Sequence, residues 1–226
     1  MTDEAKGQQD ATRCGFVALI GAPNVGKSTL VNALVGSKVT IVSRKVQTTR
    51  ALIRGIVIEG NAQIILVDTP GIFAPRRRLD RAMVSTAWSG AHDADLVCVL
   101  LDAKSGIDEE ANAILAKLES VAHPKILVLN KVDLQNAEPE RVADEIEQVI
   151  GIEASDALRI SAKTGLNVKD VLEEIVAKLP APKGNPDGKL QALIVDSWFD
   201  NYLGVVSLVR IINGRVQKGQ KIRVLS

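Results

Sequence analysis

The segment at residues 16–36 constrains the fold of this chain more than any other part of the sequence. FVALI (16–20) is a short apolar run typical of a buried strand, and KSTLVNALVG (27–36) has the period of a helix. Between them stands GAPNVGKS (21–28), which matches the pattern GxxxxGK followed by Ser or Thr. Glycines in this pattern let backbone N–H groups curve around a phosphate. The sequence therefore predicts a phosphate-binding loop between a strand and a helix.

Short apolar runs and helical patterns continue to alternate over most of the chain. Most of the runs are apolar throughout, which is typical of parallel strands covered by helices on both faces. We therefore predict an α/β fold, a doubly wound and mostly parallel sheet whose ligands bind at the carboxyl ends of the strands. The further predicted strands are 53–58, 63–68, 96–102 and 125–130, and the further predicted helices are 78–88, 109–121, 140–150 and 168–179.

The two ends of the chain differ from this α/β region. The polar stretch 1–13 predicts a disordered tail, the α/β domain covers 14–180, and prolines and glycines predict a linker over 181–189. Three more strands are predicted after the linker, at 190–199, 203–214 and 220–226. Three strands must close a barrel, pair with something else or leave an edge exposed. We therefore expect a short, incomplete barrel-like β domain over 190–226.

Half of the six aromatic residues lie in this β segment, as Trp198, Phe199 and Tyr202. Aromatic side chains bury large apolar areas, so the first expectation is that they form the core of the β domain. The alternative is an exposed docking surface.

Composition excludes several classes of protein. Lys and Arg number 28 against 27 Asp and Glu, and a net charge of +1 gives no overall field that attracts DNA or an anionic membrane. Apolar runs such as LVCVLL (96–101) are far shorter than the roughly 20 residues of a membrane span. Two cysteines, Cys14 and Cys98, make neither a disulfide framework nor a metal cluster. We expect a cytoplasmic protein without a membrane span, and peripheral membrane contact stays open.

The residues of the phosphate-loop motif have individual expected roles. Gly21 and Gly26 would let the backbone follow the β-phosphate, while Lys27 would reach the β- and γ-phosphate oxygens. The Ser28 hydroxyl would bind magnesium. The predicted nucleotide contacts of this segment also include Asn24, Val25 and Thr29.

A second motif, DTPG (68–71), ends the predicted strand at 63–68. This position would place Asp68 near the magnesium ion and the Gly71 N–H near the γ-phosphate. An Asp at the end of a strand before a Pro-Gly turn is also common for structural reasons alone, so the motif by itself is weak evidence for a nucleotide site.

Two later motifs indicate guanine as the base. In NKVD (130–133), the Asp133 carboxylate can accept both the ring and the exocyclic N–H of guanine, a donor pair that adenine lacks. In SAK (161–163), the Ala162 N–H would serve guanine O6 and the Ser161 hydroxyl would support Asp133. SAK alone is too short to indicate a function, but four motifs in order, each at a strand end, predict a GTP site. Its guanine side comprises Asn130, Lys131, Asp133, Ser161, Ala162 and Lys163.

Residues 14–131 resemble the Era-type bacterial GTPases, through GAPNVGKST (21–29), SRKVQTTR (43–50), DTPGI (68–72) and NKVD. The resemblance implies GTP hydrolysis with a catalytic set of Lys27, Thr49 and Gly71. Thr49, with Thr48 as the alternative, would join Ser28 and Asp68 at magnesium in the GTP state.

The Era resemblance also concerns Asn24 in the phosphate loop. In GTPases of this group, Asn24 would help to hold a potassium ion. The alternative is that Asn24 only braces the loop.

From about residue 130 to 226 the chain resembles a second family. ERVADEIEQVIGI (140–152) and LQALIVDSWFDNYLGVVSLVRI (190–211) resemble LepA, the ribosome-associated translational GTPase also called elongation factor four. The resemblance implies a fusion of two GTPase halves at NKVD, with 190–226 as part of the second domain of a translation factor. The pattern departs from both families, because no GxxG loop of an Era-type RNA-binding domain is present and Ile72 replaces the LepA histidine after DTPG.

Together these features predict a GTPase that uses Mg²⁺, and K⁺ if Asn24 holds it, to convert GTP to GDP and phosphate. Turnover should be slow, because Ile72 cannot hydrogen-bond the attacking water and catalysis then depends on positioning and charge. By resemblance, the partner is the ribosome or ribosomal RNA. Two alternatives stay open: a non-catalytic nucleotide-dependent switch, and a truncated LepA-like translation factor.

Overall fold

The structure of the chain is a computed structural model that describes residues 13–40, 52–118 and 120–225. The chain divides into two compact units, Met1–Ala181 and Pro182–Ser226. Of the predicted tail at 1–13, only Arg13 lies within the described residues, and it already belongs to the first strand. The strand is longer than predicted because it pairs with a neighbour from Arg13 onward.

The first unit contains the predicted alternation of strands and helices. Helix α2 continues to Asp93 rather than ending at 88, and a π-helical turn over Ile146–Ile150 follows α4. The strands are β1 (Arg13–Ile20), β2 (Ile53–Glu59), β3 (Ala62–Asp68), β4 (Leu96–Asp102), β5 (Lys125–Asn130) and β6 (Leu158–Arg159). The helices are α1 (Lys27–Val35), α2 (Arg78–Asp93), α3 (Glu109–Leu118), α4 (Pro139–Glu145) and α5 (Val168–Lys178).

Six strands form one mostly parallel sheet in the order β2-β3-β1-β4-β5-β6. Strand β1 lies in the middle and pairs in parallel with both β3 and β4. Only a short turn at Gly60 and Asn61 joins β2 to β3, so this edge pair is antiparallel, since parallel strands need a long crossover. The carboxyl ends of β1, β3, β4 and β5 therefore meet at one edge of the sheet, which confirms the predicted fold class.

Both faces of the sheet are buried, as the continuously apolar strands predict. In β4, Leu96, Cys98 and Leu100 belong to one hydrophobic cluster, whereas Val97, Val99 and Leu101 belong to the other. Residues of α1 and α5 cover the first face, and residues of α2 and α3 cover the second. This two-sided packing keeps the sheet rigid and fixes the strand ends from which the site is built.

The second unit is a two-stranded antiparallel sheet of β7 (Gln191–Asp200) and β8 (Gly204–Asn213). The predicted third strand is wrong over 220–225, which holds no strand, and residue 226 lies outside the described chain. The expected aromatic core is also wrong, because Trp198, Phe199 and Tyr202 are 51%, 73% and 97% exposed. Within the described residues of the second unit, no further strand or helix is present to cover β7 and β8.

Among the described residues, no helix combines the length and apolar character needed to cross a membrane.

Candidate functional site

The phosphate loop connects β1 to α1 through a backbone that needs its glycines. Gly21 and Gly26 have positive φ angles of 153° and 110°. A Cβ atom on Gly21 would lie 2.5 Å from the carbonyl oxygen of Leu100, and one on Gly26 would collide with the side-chain amide of Asn130. The loop can therefore pack this tightly only with glycine at both positions.

Helix α1 begins at Lys27, directly behind this loop. Within the described residues, no side chain caps its N-terminus and its first turn contains no acidic residue. Uncapped N–H groups and the positive end of the helix dipole favour an anion at this point.

The Lys27 side chain is held under the loop. It is only 6% exposed, and its Nζ donates to the carbonyl oxygens of Gly21 at 2.9 Å and Ala22 at 2.8 Å. Burial lowers the pKa of Lys27 from 10.5 to about 8, and the nearby charge of Asp68 opposes that shift in part. A phosphate beside the ammonium group would favour its charged form.

Three oxygen-bearing side chains meet beside Lys27. The Ser28 hydroxyl donates to Asp68 Oδ2 at 2.6 Å, and the Thr40 hydroxyl donates to the same oxygen at 2.7 Å. Asp68 is completely buried at the end of β3. Magnesium prefers hard oxygen ligands and is held in nucleotide sites by one or two protein groups together with phosphates, so the Ser28 hydroxyl and the Asp68 carboxylate fit the ion.

The chain after Asp68 packs against the phosphate loop. The Ile72 N–H donates to the Gly21 carbonyl at 3.1 Å, and a Cβ on Gly71 would lie 2.8 Å from Cγ of Pro23. This contact brings Gly71 to the loop, and the contact of its N–H with the γ-phosphate stays a prediction. The Ile72 side chain is 6% exposed and belongs to the hydrophobic core.

Asn130 joins three motifs through one side chain. Its Nδ2 donates to the Val25 carbonyl of the phosphate loop at 2.8 Å, and its Oδ1 accepts from the Ala162 N–H at 2.9 Å. Asn130 is 2% exposed, so these bonds are shielded from water. The Ala162 N–H that was expected to serve guanine O6 therefore bonds to Asn130 in this structure.

The other guanine-side residues lie around this junction. Lys131 has a positive φ of 70° and pairs with Asp102 Oδ2 at 2.6 Å. Asp133 and Lys163 are exposed. The Ser161 hydroxyl accepts from the Thr164 N–H at 3.1 Å, and its support of Asp133 stays a prediction.

Two polar side chains in these contacts, those of Thr40 and Asp102, were not identified from the sequence. Thr40 lies in no motif, and no sequence signal marks it. Asp102 ends a predicted strand at the carboxyl edge of the sheet, and this position could have singled it out. Thr48 and Thr49 lie outside the described residues, and the exposed Asn24 and half-buried Thr29 are in place beside the loop.

Comparison with known proteins finds GTPases that match the part of the chain in which the phosphate loop lies. Residues 16–131 match the family model described as 50S ribosome-binding GTPase. GTPase Era of Bradyrhizobium diazoefficiens is 86% identical over 139 residues, which is 61% of this chain and 45% of the relative. GTPase Era of Afipia carboxidovorans is 67% identical over 174 residues, which is 76% of this chain and 56% of the relative. The chain spans about half the length of the curated relatives it matches.

Solved structures give a similar result. The crystal structure of Era in complex with MgGDPNP and nucleotides 1506–1542 of 16S ribosomal RNA has a TM-score of 0.69 and 36% identity, over 75% of this chain and 58% of that one. The bacterial selenocysteine-specific elongation factor EF-Sec has a TM-score of 0.66 over 92% of this chain and 36% of that one. Its identity of 17% shows likeness of fold alone.

Proposed function

Since this chain belongs to the family of 50S ribosome-binding GTPases and is Era-type over its N-terminal part, we propose that it binds GTP with Mg²⁺ and hydrolyses it to GDP and phosphate. The observation that carries the proposal is the buried Asn130 side chain, which ties the phosphate loop to SAK. A nucleotide spanning this junction meets the phosphate loop at one end and the base-reading motifs at the other.

The proposed nucleotide site consists of the motif residues. Asp133 selects guanine, because its exposed carboxylate can accept the two N–H donors of that base. Ser28 and Asp68, with Thr49, would hold magnesium, which would neutralise phosphate charge when bound. The full proposed contact set is Gly21, Asn24, Val25, Gly26, Lys27, Ser28, Thr29, Asp68, Gly71, Asn130, Lys131, Asp133, Ser161, Ala162 and Lys163.

Hydrolysis by these residues depends on charge and positioning. Lys27 supplies a buried positive charge to the β- and γ-phosphates, and the N–H of Gly71 is held close to the phosphate loop. The Ile72 side chain is in the core, so it does not orient the attacking water. We expect slow intrinsic turnover, because Ile72 cannot supply that orienting hydrogen bond.

A potassium ion beside Asn24 is a further part of this proposal. Asn24 is exposed in the loop with a positive φ of 58°, so its side-chain carbonyl is accessible beside the phosphate site. The developing charge between the β- and γ-phosphates needs a cation there, and potassium would supply it. The alternative role, bracing of the loop, predicts equal turnover in potassium and sodium chloride.

For partners and domains, we propose association with the ribosome or ribosomal RNA in the cytoplasm. The Era relative crystallised with 16S ribosomal RNA supports this partner. We further propose a GTPase domain over 14–180, a linker over 181–189, and a LepA-like part of a translation-factor domain over 190–226. The LepA-like assignment, and with it a fusion of two GTPase halves, rests on the sequence resemblance over 130–226, whereas the likeness to EF-Sec concerns the fold alone.

Phosphate release from the purified full chain tests the function. With Mg²⁺ and excess GTP, we expect multiple turnover that ATP does not support and that Lys27→Ala and Ser28→Ala abolish. Binding of GTP without turnover would instead favour the non-catalytic switch. Equal binding of ATP and GTP would refute the guanine site.

A further inference from the structure

Thr40 is a buried polar residue that none of the sequence motifs explains. The chain is exposed over 37–39 after the end of α1 and then turns inward, so that Thr40 is only 2% exposed. A buried hydroxyl is unfavourable unless it makes a hydrogen bond. The Thr40 hydroxyl makes that bond with Asp68 Oδ2 at 2.7 Å.

Asn32 fixes the backbone of Thr40 in this position. Asn32 Oδ1 accepts from the N–H groups of Val39 at 2.8 Å and Thr40 at 3.0 Å, and its Nδ2 donates to the Thr40 carbonyl at 2.9 Å. Both backbone hydrogen-bonding groups of Thr40 are therefore held by one side chain of α1. Asn32 lies four residues after Ser28, so both side chains stand on the same face of the helix.

Both hydroxyl groups that contact Asp68 act as hydrogen-bond donors. Ser28 and Thr40 each commit a proton to Oδ2, at 2.6 and 2.7 Å. A hydroxyl that donates its proton to a carboxylate can still accept through its oxygen, as binding of a metal ion requires. A carboxylate oxygen that accepts two hydrogen bonds is also restricted in orientation. Hydrogen bonds from residues that surround the metal ligands orient those ligands in the same way.

We propose that Thr40, clamped by Asn32, is a positioning residue for magnesium: it orients the Asp68 carboxylate that Ser28 also contacts. In this proposal Thr40 does not bind the metal itself, and its role is separate from that of Thr49. The inference rests on the proposed nucleotide site. It predicts that loss of the Thr40 hydroxyl weakens magnesium binding without weakening metal-free nucleotide binding.

The test measures release of fluorescent GDP from the full chain across a range of free Mg²⁺ concentrations and in EDTA. In Thr40→Val, which keeps the shape of the side chain, the Mg²⁺ concentration for half-maximal slowing of release should rise about tenfold, the lower end of the effect of losing an outer-shell partner. Thr40→Ser restores the hydroxyl and should behave as the wild type. The matched control is Thr86→Val, which removes a hydroxyl that donates to Ala82 within α2.

Asn32→Ala provides a second, independent variant. It leaves the Thr40 hydroxyl in place but removes the clamp, so the midpoint for Mg²⁺ should rise in the same direction. GDP release in EDTA serves as the reference for folding in every variant, and it should match the wild type.

The outcomes separate this inference from the proposed function. If the wild type binds GDP and responds to Mg²⁺ but Thr40→Val keeps its midpoint within twofold, the positioning role is refuted. Faster release in EDTA that equals the effect in Mg²⁺ would show a structural role and refute it equally. A wild type that binds no guanine nucleotide would overturn the proposed function, and this inference with it.

Discussion

The buried Lys27 ammonium group of the phosphate loop is expected to destabilise the folded protein by a measurable amount. Burial lowers its pKa from 10.5 to about 8, mainly by desolvation and despite the charge of Asp68. At about 1.4 kcal/mol for each pH unit, the buried ammonium group costs the folded protein about 3 kcal/mol. Below pH 8 both the folded and the unfolded chain hold the proton, so this full cost opposes folding.

The cost is relieved as the pH rises. Between pH 8 and 10.5 the folded chain releases the Lys27 proton before the unfolded chain does, and the free energy of unfolding increases. From pH 7 to pH 9 the increase amounts to about 1 kcal/mol. Lys27→Met has no proton to release, so this part of the pH dependence should disappear in the variant.

Urea unfolding of the nucleotide-free chain, followed by far-UV circular dichroism at pH 7 and pH 9, measures the difference. The variant also lacks the hydrogen bonds to Gly21 and Ala22, but that loss is the same at both pH values and cancels. Lys169→Met is the control, because the Lys169 side chain is 77% exposed on α5. Equal changes between pH 7 and pH 9 in the wild type and Lys27→Met would refute the reasoning.

Three further predictions concern the base, the loop and the thiols. Asp133→Asn replaces an acceptor with a donor, so GTP affinity should fall and that of xanthosine triphosphate should rise in a competition assay; unchanged preference for GTP would remove Asp133 as the base reader. Gly26→Ala places a Cβ against the Asn130 amide at a φ of 110°, so it should lower the thermal midpoint of unfolding more than the control Gly36→Ala, whose added Cβ meets nothing within 4 Å. Equal midpoints in the two variants would contradict this. Burial raises the pKa of Cys98 to about 12, so at pH 8 a thiol reagent should modify the half-buried Cys14 well before Cys98. Cys98 should react once the chain is unfolded, and similar rates for both thiols in the folded protein would disprove its burial.

The sequence was sufficient for features that depend on local chemistry. The apolar run at 96–102 predicted a strand buried on both faces, and the structure places its alternate residues in two separate clusters. The glycines of GAPNVGKS predicted the tight loop, because a positive φ is a property of the residue itself. Prediction failed at the hairpin, where strand propensity at 220–225 was not matched by a partner strand.

By itself, the sequence determined the order of strands and helices and the motifs at the strand ends, because periodicity and turn chemistry act over a few neighbouring residues. Only the tertiary structure decided how those motifs contact each other. Thr40 reaches Asp68 across 28 positions, and Asn130 reaches Val25 across 105. Such contacts depend on which strands become neighbours in the sheet, and so on the packing of the whole first unit, which no short stretch of sequence specifies.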